Sequence, residues 1–361
     1  MRNGVRLRAL RASMAQEGVE ALLVTHLPDV RWLCGFTGSN AALAVTDKKA
    51  VLFTDGRYTV QARDETRGAR VKIAKKSALD EACALLGSLA KRGWCDPENI
   101  TFAAFARLQS VMTKTLGRSF FSPLKRSLVS ELRMVKDAEE LRLMEKAAAL
   151  GDRAFDAVLP HIASGVPETR IAAHLEFFAR SMGAEGMSFE TIVASGERSA
   201  LPHGRAKARK TPRNGFITLD FGVILKGYCS DMTRTVSVGR LSREERSAYE
   251  AVLEAQQAGV AAVKPGATCG EVDEAARAVL RKAGLGKYFT HSTGHGVGLE
   301  IHEAPRLAAG QTMELKPGMV VTVEPGVYLA GKFGIRIEDM VAITQRGNKV
   351  LTKSTKALIE L

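Results

Sequence analysis

Ile217-Thr-Leu-Asp-Phe-Gly-Val-Ile-Leu-Lys-Gly-Tyr-Cys-Ser-Asp-Met-Thr-Arg-Thr-Val236 reads as two apolar strands folded back on a short turn. Centred on Leu225-Lys226, the hairpin sets Asp220 opposite Asp231, with Cβ atoms ~5 Å apart. Like charges so placed are destabilising unless a counter-charge lies between them. The pattern recurs downstream. Val320-Val-Thr-Val-Glu-Pro-Gly326 and Gly334-Ile-Arg-Ile-Glu-Asp339 fold about Gly331 and bring Glu324 across from Glu338. The apolar flanks of all four acids predict burial, and a naked buried carboxylate is costly. Divalent ions resolve that cost, and two acidic pairs with an imidazole make ligands enough for two. Solvent-facing strand acids would be the plainer reading, but these flanks fit it poorly.

Four of the seven histidines stand in segments punctuated by glycine or proline: His203, His291, His295 and His302. Glycine neighbours let backbone approach a bound group closely. His295, in Gly294-His-Gly-Val-Gly298, is the fifth expected ligand. His26, His161 and His174 lack such surroundings and are assigned no role.

A chain of 361 residues is long for one core, so two domains are expected. The hydrophobic content of 45% and charged content of 25% are those of a soluble globular protein. No apolar run is long enough to span a bilayer, and no apolar segment of a signal peptide follows the basic N-terminus. Five cysteines, odd in number and without metal-binding spacing, fit a reducing cytoplasm in which each packs as a small hydrophobe. Alternation puts Cys229 on the face of Asp231, with packing as its expected role. A net charge of +13 raises nucleic-acid binding, but the cations are dispersed, aromatics reach only 6%, and no nucleic-acid motif accompanies them. The tight cluster Arg205-Ala-Lys-Ala-Arg-Lys-Thr-Pro-Arg213 reads first as a solvated loop. Because it follows His203, its second reading is attraction of a peptide carboxylate.

Along the chain, residues 5–17 have helical periodicity, 21–24 form a short apolar strand, and 41–46 with 50–53 read as a strand pair. A helix over 78–92 ends at Gly93. This alternation predicts an α/β layer domain over residues 1–126, with the linker in the stretch 119–130. A helix then opens at Asp137, with Glu140 placed to complete a capping box. The remainder, 127–361, contains an internal echo. Ala154-Phe-Asp-Ala-Val-Leu159 resembles Ala248-Tyr-Glu-Ala-Val-Leu253, and the stretch opening at Gly165 resembles that opening at Gly266. Each runs through a helix to a glycine, Gly183 or Gly284, which predicts a duplicated unit with pseudo-two-fold symmetry.

The order and punctuation of these segments resemble the metal-dependent pita-bread peptidases, in the branch of Xaa-Pro aminopeptidases and Xaa-Pro dipeptidases (prolidases). The likeness is carried by Leu219-Asp-Phe-Gly with Ser230-Asp-Met-Thr-Arg-Thr, by Thr293-Gly-His-Gly-Val-Gly-Leu-Glu-Ile-His-Glu, by Val323-Glu-Pro-Gly and by Ile335-Arg-Ile-Glu-Asp. Phe36-Thr-Gly-Ser39 and Phe53-Thr-Asp-Gly-Arg-Tyr58 look like the family's N-terminal domain. The resemblance implies a creatinase/prolidase-like α/β domain followed by a pita-bread α+β catalytic domain. It implies the same five ligands, Asp220, Asp231, His295, Glu324 and Glu338, holding two divalent ions, typically Mn²⁺ with Co²⁺ or Zn²⁺ in some members. His203, His291, His302 and Glu324 take the catalytic roles by similarity. His203, His302 and Arg336 are expected at the substrate, with Arg336 alternatively gripping a ligand carboxylate. The reaction so implied is attack of a metal-bridging hydroxide on the N-terminal Xaa-Pro bond of a peptide with proline second. Aminopeptidase is the first reading, dipeptidase the second, and a pita-bread binding protein without turnover the third. Family members are commonly dimers or larger homo-oligomers.

Overall fold

A computed structural model of the chain describes residues 2–113 and 120–361. It divides into two compact units, Met1–Arg133 and Met134–Leu361.

The first unit is built on a six-stranded sheet ordered Arg70–Ile73, Ala50–Thr54, Ala42–Thr46, Ala21–Val24, Gly93–Cys95, Phe121–Pro123. The central strands are antiparallel, and the outer pairings on both sides are parallel. The three central strands are buried along their whole length, which is why their sequences are continuous apolar runs without alternation. The edge strand Arg70–Ile73 alternates exposed and half-buried residues. Two expectations are corrected. The helix begins where predicted, with Ser77 accepting from Asp80 N, but it runs only over Ala78–Leu89, because Gly93–Cys95 joins the sheet beside Ala21–Val24. The expected linker is largely structured: Phe121–Pro123 is the sheet's last strand and Leu128–Met134 is helical. The units therefore part at Arg133/Met134 and not at 126/127. Ser119, where the linker is expected to begin, lies outside the described residues.

The second unit repeats itself. Helices Ala138–Val158 and Glu168–Ser181 form one pair, and Arg243–Ala262 and Cys269–Lys282 the other. Capping boxes open three of them, at Asp137/Glu140, Ser242/Glu245 and Thr268/Glu271. Each box satisfies helix-end N–H groups that would otherwise lack partners, a contribution of about 1 kcal/mol. The loops correspond bond for bond. Gly165 N donates to Thr211 O while Thr211 N donates to Val166 O; Gly266 N donates to Leu315 O while Leu315 N donates to Ala267 O. The helix pairs carry two principal sheets. One has the order Met232–Val238, Gly215–Phe221, Ile192–Ser195, and the other Glu303–Leu307, Gly294–Gly296, Val320–Val323, Asp339–Ile343, Asn348–Val350. This is the expected pseudo-two-fold unit. Among the described residues, no helix is long and apolar enough to cross a membrane.

Candidate active site

The two acidic ribbons bring their carboxylates to one place by different routes. In the first, the turn sits at Lys226–Gly227, both with positive φ (51° and 78°). That left-handed pair suits the twist of a two-residue hairpin, and glycine takes it without strain. The turn lies one residue beyond the expected centre, so the register moves by two: Asp220 pairs with Thr233, not with Asp231. Asp231 becomes its diagonal neighbour on the same face. Gly222 interrupts the ribbon where a Cβ would lie 1.8 Å from Ser230 O.

The second ribbon keeps the expected register. Val323 pairs with Asp339 on one side of a break and Gly326 with Arg336 on the other, which leaves Glu324 across from Glu338 in between. Pro325, without an N–H, opens the ladder there. Each glutamate's backbone instead reaches a neighbouring segment. Glu324 N donates to Thr293 O (2.8 Å), beside His295, and Glu338 N donates to Thr233 O (3.1 Å), beside Asp231.

The result is a buried acidic cluster. Single ligand atoms of Asp231, His295 and Glu338 all lie within 4.8 Å of one another. His295 Nε2 stands 3.6 Å from Asp231 Oδ2 and 3.4 Å from Glu324 Oε1. His295 Nδ1 is 2.9 Å from Gly296 O, which calls for the proton on Nδ1 and leaves the Nε2 lone pair facing two carboxylate oxygens. Burial holds this imidazole below its usual pKa and therefore neutral. Burial, followed by the neighbouring acids, pushes Asp231 and Glu338 well above the carboxylate range, and burial raises Glu324 to about 7. Carboxylates crowded around an imidazole lone pair fit a divalent ion, and the oxygen-rich set with one imidazole fits a hard one.

Asp220, the remaining expected ligand, turns to Arg336, with 2.5 Å between Oδ2 and Nη2. Arg336 also donates from Nε to Thr233 Oγ1 (3.1 Å) and from Nη1 to Pro202 O (3.0 Å) and Tyr328 Oη (2.6 Å). Four of the five N–H groups of a guanidinium are thus engaged by protein. Arg336 thus grips the carboxylate of Asp220 and also lines the cavity over the acidic cluster.

A cavity of about 650 Å³ opens over this cluster, lined by His203, His291 and His302 as well as the acids. The His302 ring lies 4.4 Å from that of His295, and burial together with His295 and His203 keeps its pKa low. His291 is held to about 4 by burial, with Nε2 at 2.9 Å from Tyr328 Oη. Both are therefore neutral near neutral pH, and His291 spends its Nδ1 proton on Ser292 O (2.8 Å) while its Nε2 accepts from Tyr328 Oη. Of the basic cluster only Arg205 lines the cavity, and it is ion-paired to Glu190 at 2.8 Å. Lys207, Arg209 and Lys210 point to solvent, as the plainer reading of that loop has it. Cys229 packs with Tyr228, Val297 and Val320.

Four participants escape a sequence reading. Thr233 Oγ1 donates to Glu338 Oε2 (2.8 Å), and Thr322 Oγ1 donates to Glu324 Oε1 (3.1 Å). Each stands two residues from a ligand, so same-face alternation along a strand could have flagged them. Tyr328 and Arg306 carry no such signal. Arg306 pairs directly with His295 across the strands and lines the cavity.

Residues 142–345 match the family described as metallopeptidase family M24, and residues 6–135 match the creatinase/prolidase N-terminal domain. The Xaa-Pro dipeptidase of Pyrococcus furiosus is 35% identical, with 98% of this chain and 99% of that one aligned. A solved Xaa-Pro dipeptidase from Bacillus anthracis superposes with a TM-score of 0.94 at 40% identity, covering 99% of this chain and 100% of that one. A solved X-Pro aminopeptidase from Thermotoga maritima gives 0.87 at 37% identity, covering 97% and 100%.

Proposed function

The chain belongs to metallopeptidase family M24 and is a metallo-exopeptidase, and we propose that it hydrolyses Xaa-Pro dipeptides. The reading of a binding protein without turnover lapses with that membership. The observation that carries the dipeptide reading is Arg306, set beside the metal-ligand candidates in the same cavity. An Xaa-Pro dipeptide bears its free carboxylate on the residue just after the scissile bond, so its site needs a cation close to the reacting carbonyl. Arg306 forms no ion pair among the described residues and lies directly across from His295. The two dipeptidase relatives support the same choice, which reverses the order of the two peptidase readings. The aminopeptidase alternative keeps the support of the T. maritima structure.

Asp220, Asp231, His295, Glu324 and Glu338 would hold the ions, two in number by this reading, and Mn²⁺ suits so carboxylate-rich a shell. When bound, such ions supply the Lewis acidity that activates water and polarises the scissile carbonyl. The protein's own groups do the rest. Neutral His302 offers an N–H donor to the charge that develops on the carbonyl oxygen, and His291, its two ring nitrogens taken up by Ser292 O and Tyr328 Oη, stands in the cavity wall. Glu324, with Oε1 accepting from Thr322, uses its carboxylate to relay a proton toward the proline nitrogen. Arg336 keeps Asp220 in place. Proline's tertiary amide lacks the N–H that general peptidases use, so the cavity's shape must supply the selectivity.

The test compares hydrolysis of an Xaa-Pro dipeptide and an Xaa-Pro-Yaa tripeptide, with Mn²⁺ and with chelator. Dipeptide cleavage that chelator abolishes is expected. Cleavage of the tripeptide alone would establish the aminopeptidase, and cleavage of neither would remove both readings.

A further inference from the structure

Each half of the second unit ties its histidine segment to a buried carboxylate on the second helix of its pair. In the first half, Glu168 accepts from Ser195 N (2.9 Å) and Ser195 Oγ (2.8 Å). It also accepts from Arg198 Nε, 3.2 Å from each oxygen, and from Lys207 N (3.1 Å). Arg198 Nη2 then donates to Arg205 O (2.6 Å). The stretch 195–207, which carries His203, is thus pinned at both ends to one side chain.

In the second half, Asp273 Oδ1 accepts from Thr293 N (3.1 Å) and Thr293 Oγ1 (2.8 Å). Both its oxygens accept from Arg277, at 2.9 Å each. Arg277 also donates to Phe289 O (3.1 Å) and His291 O (2.9 Å) and lies 4.2 Å above the Phe289 ring, which stands perpendicular to that of His291 at 5.1 Å between centroids. The bonds match: a serine or threonine gives amide and hydroxyl to the acid, and the acid's arginine grips carbonyls of the histidine segment. Yet Glu168 opens its helix while Asp273 lies past the first turn of the other, so the internal repeat alone does not account for the match. None of the four lines the cavity.

We propose that Asp273–Arg277 and Glu168–Arg198 are positioning pairs, which fix the backbones behind His291 and His203 and so hold these side chains in place in the wall of the substrate cavity. The inference rests on the peptidase reading above. A planar guanidinium serves a carboxylate and two carbonyls at once, whereas an ammonium on a flexible stem does not. Arg277→Lys in the full Mn²⁺-loaded chain keeps the charge opposite Asp273 and removes that geometry. Its kcat on an Xaa-Pro dipeptide should fall on the order of 10²-fold, the effect of ~1 Å misplacement, with KM and metal content near those of the parent. The His291 imidazole resonances of the metal-free protein should move. Arg277→Ala should lose more and recover turnover on addition of guanidinium. Parental kcat in Arg277→Lys, unmoved His291 resonances, or absence of guanidinium rescue would each overturn the proposal. A parent chain inactive on Xaa-Pro substrates would instead sink the dipeptidase reading, and the His291 resonances would still decide the positioning.

Discussion

In the ribbon that turns at Lys226–Gly227, Asp220 is gripped by Arg336 while Asp231 meets the neutral His295 and other acids. In the ribbon that turns at Gly331, neither Glu324 nor Glu338 meets a lysine or arginine in an ion pair among the described residues. The protein therefore pairs one of its four acids directly with a cation and leaves three without an ion-pair partner of that kind around an imidazole lone pair. Burial without such a partner is tolerated through protonation or through a bound cation. The contrast separates a carboxylate that has its own counter-ion from carboxylates that have none.

The contrast is tested most severely at the acids without a counter-ion. Asp231→Asn and Glu338→Gln should each lower kcat/KM by ~10³-fold or more, at the upper end for loss of a preorganised stabilising group. Elemental analysis should find less bound metal in both. Full metal content with full turnover would mean that these acids are not ligands. Arg336→Lys keeps the charge but not the fork, and should weaken metal affinity or activity by about 10–100-fold, as loss of a group behind a ligand does. Parental metal binding would show that Asp220 needs no holding. The third test is pH. In chelated protein the folded pKa of Glu324 is raised from its ordinary 4.5 to about 7, and Asp231 and Glu338 move the same way. These acids keep their protons to higher pH in the folded state than in the unfolded, a negative contribution to the slope of stability against pH, opposite in sign to that of the low-pKa His291, His295 and His302. Measured against Glu324→Gln, which removes one acid and leaves the histidines, the Tm of chelated parent should fall as pH rises from about 4.5 to 7, and added Mn²⁺ should abolish that relative fall. A parent Tm that climbs relative to Glu324→Gln over this range would contradict the raised Glu324. The smallest effect is expected at Gly227→Ala, which places a Cβ in left-handed backbone and should cost ~1–2 kcal/mol in urea unfolding with turnover little changed. Large loss of turnover would mean that the first ribbon's register reaches through to Asp231.

The two ribbons also measure what could be read from residues alone. Gly331 marks the second turn and Pro325 marks the break, so Glu324 opposite Glu338 follows directly from the text. In the first ribbon three adjacent residues, Leu225, Lys226 and Gly227, all permit a turn, and the choice among them shifts every partner. Since side chains alternate with a period of two, the shift left Asp220 and Asp231 on one face even though they are not opposed. The helical repeat was legible from its capping residues and its glycines. The linker was misread because Pro123 and the basic residues after it suggested a loop, while Phe121 and Leu128 were already committed to a strand and a helix.

By itself the sequence determined the division into an α/β unit and a duplicated unit, the acidic ribbons, and the identity of the five ligand candidates. These depend on local periodicity, turn chemistry and short-range strand pairing, all of which are written in adjacent residues. Only the tertiary structure decided that Arg336 belongs to Asp220, that Tyr328 bridges His291 and Arg336, that Arg306 faces His295, and that Asp273 and Glu168 tie down the histidine segments. Those partners lie on different elements, and their meeting depends on how helices and sheets pack, which no local pattern records.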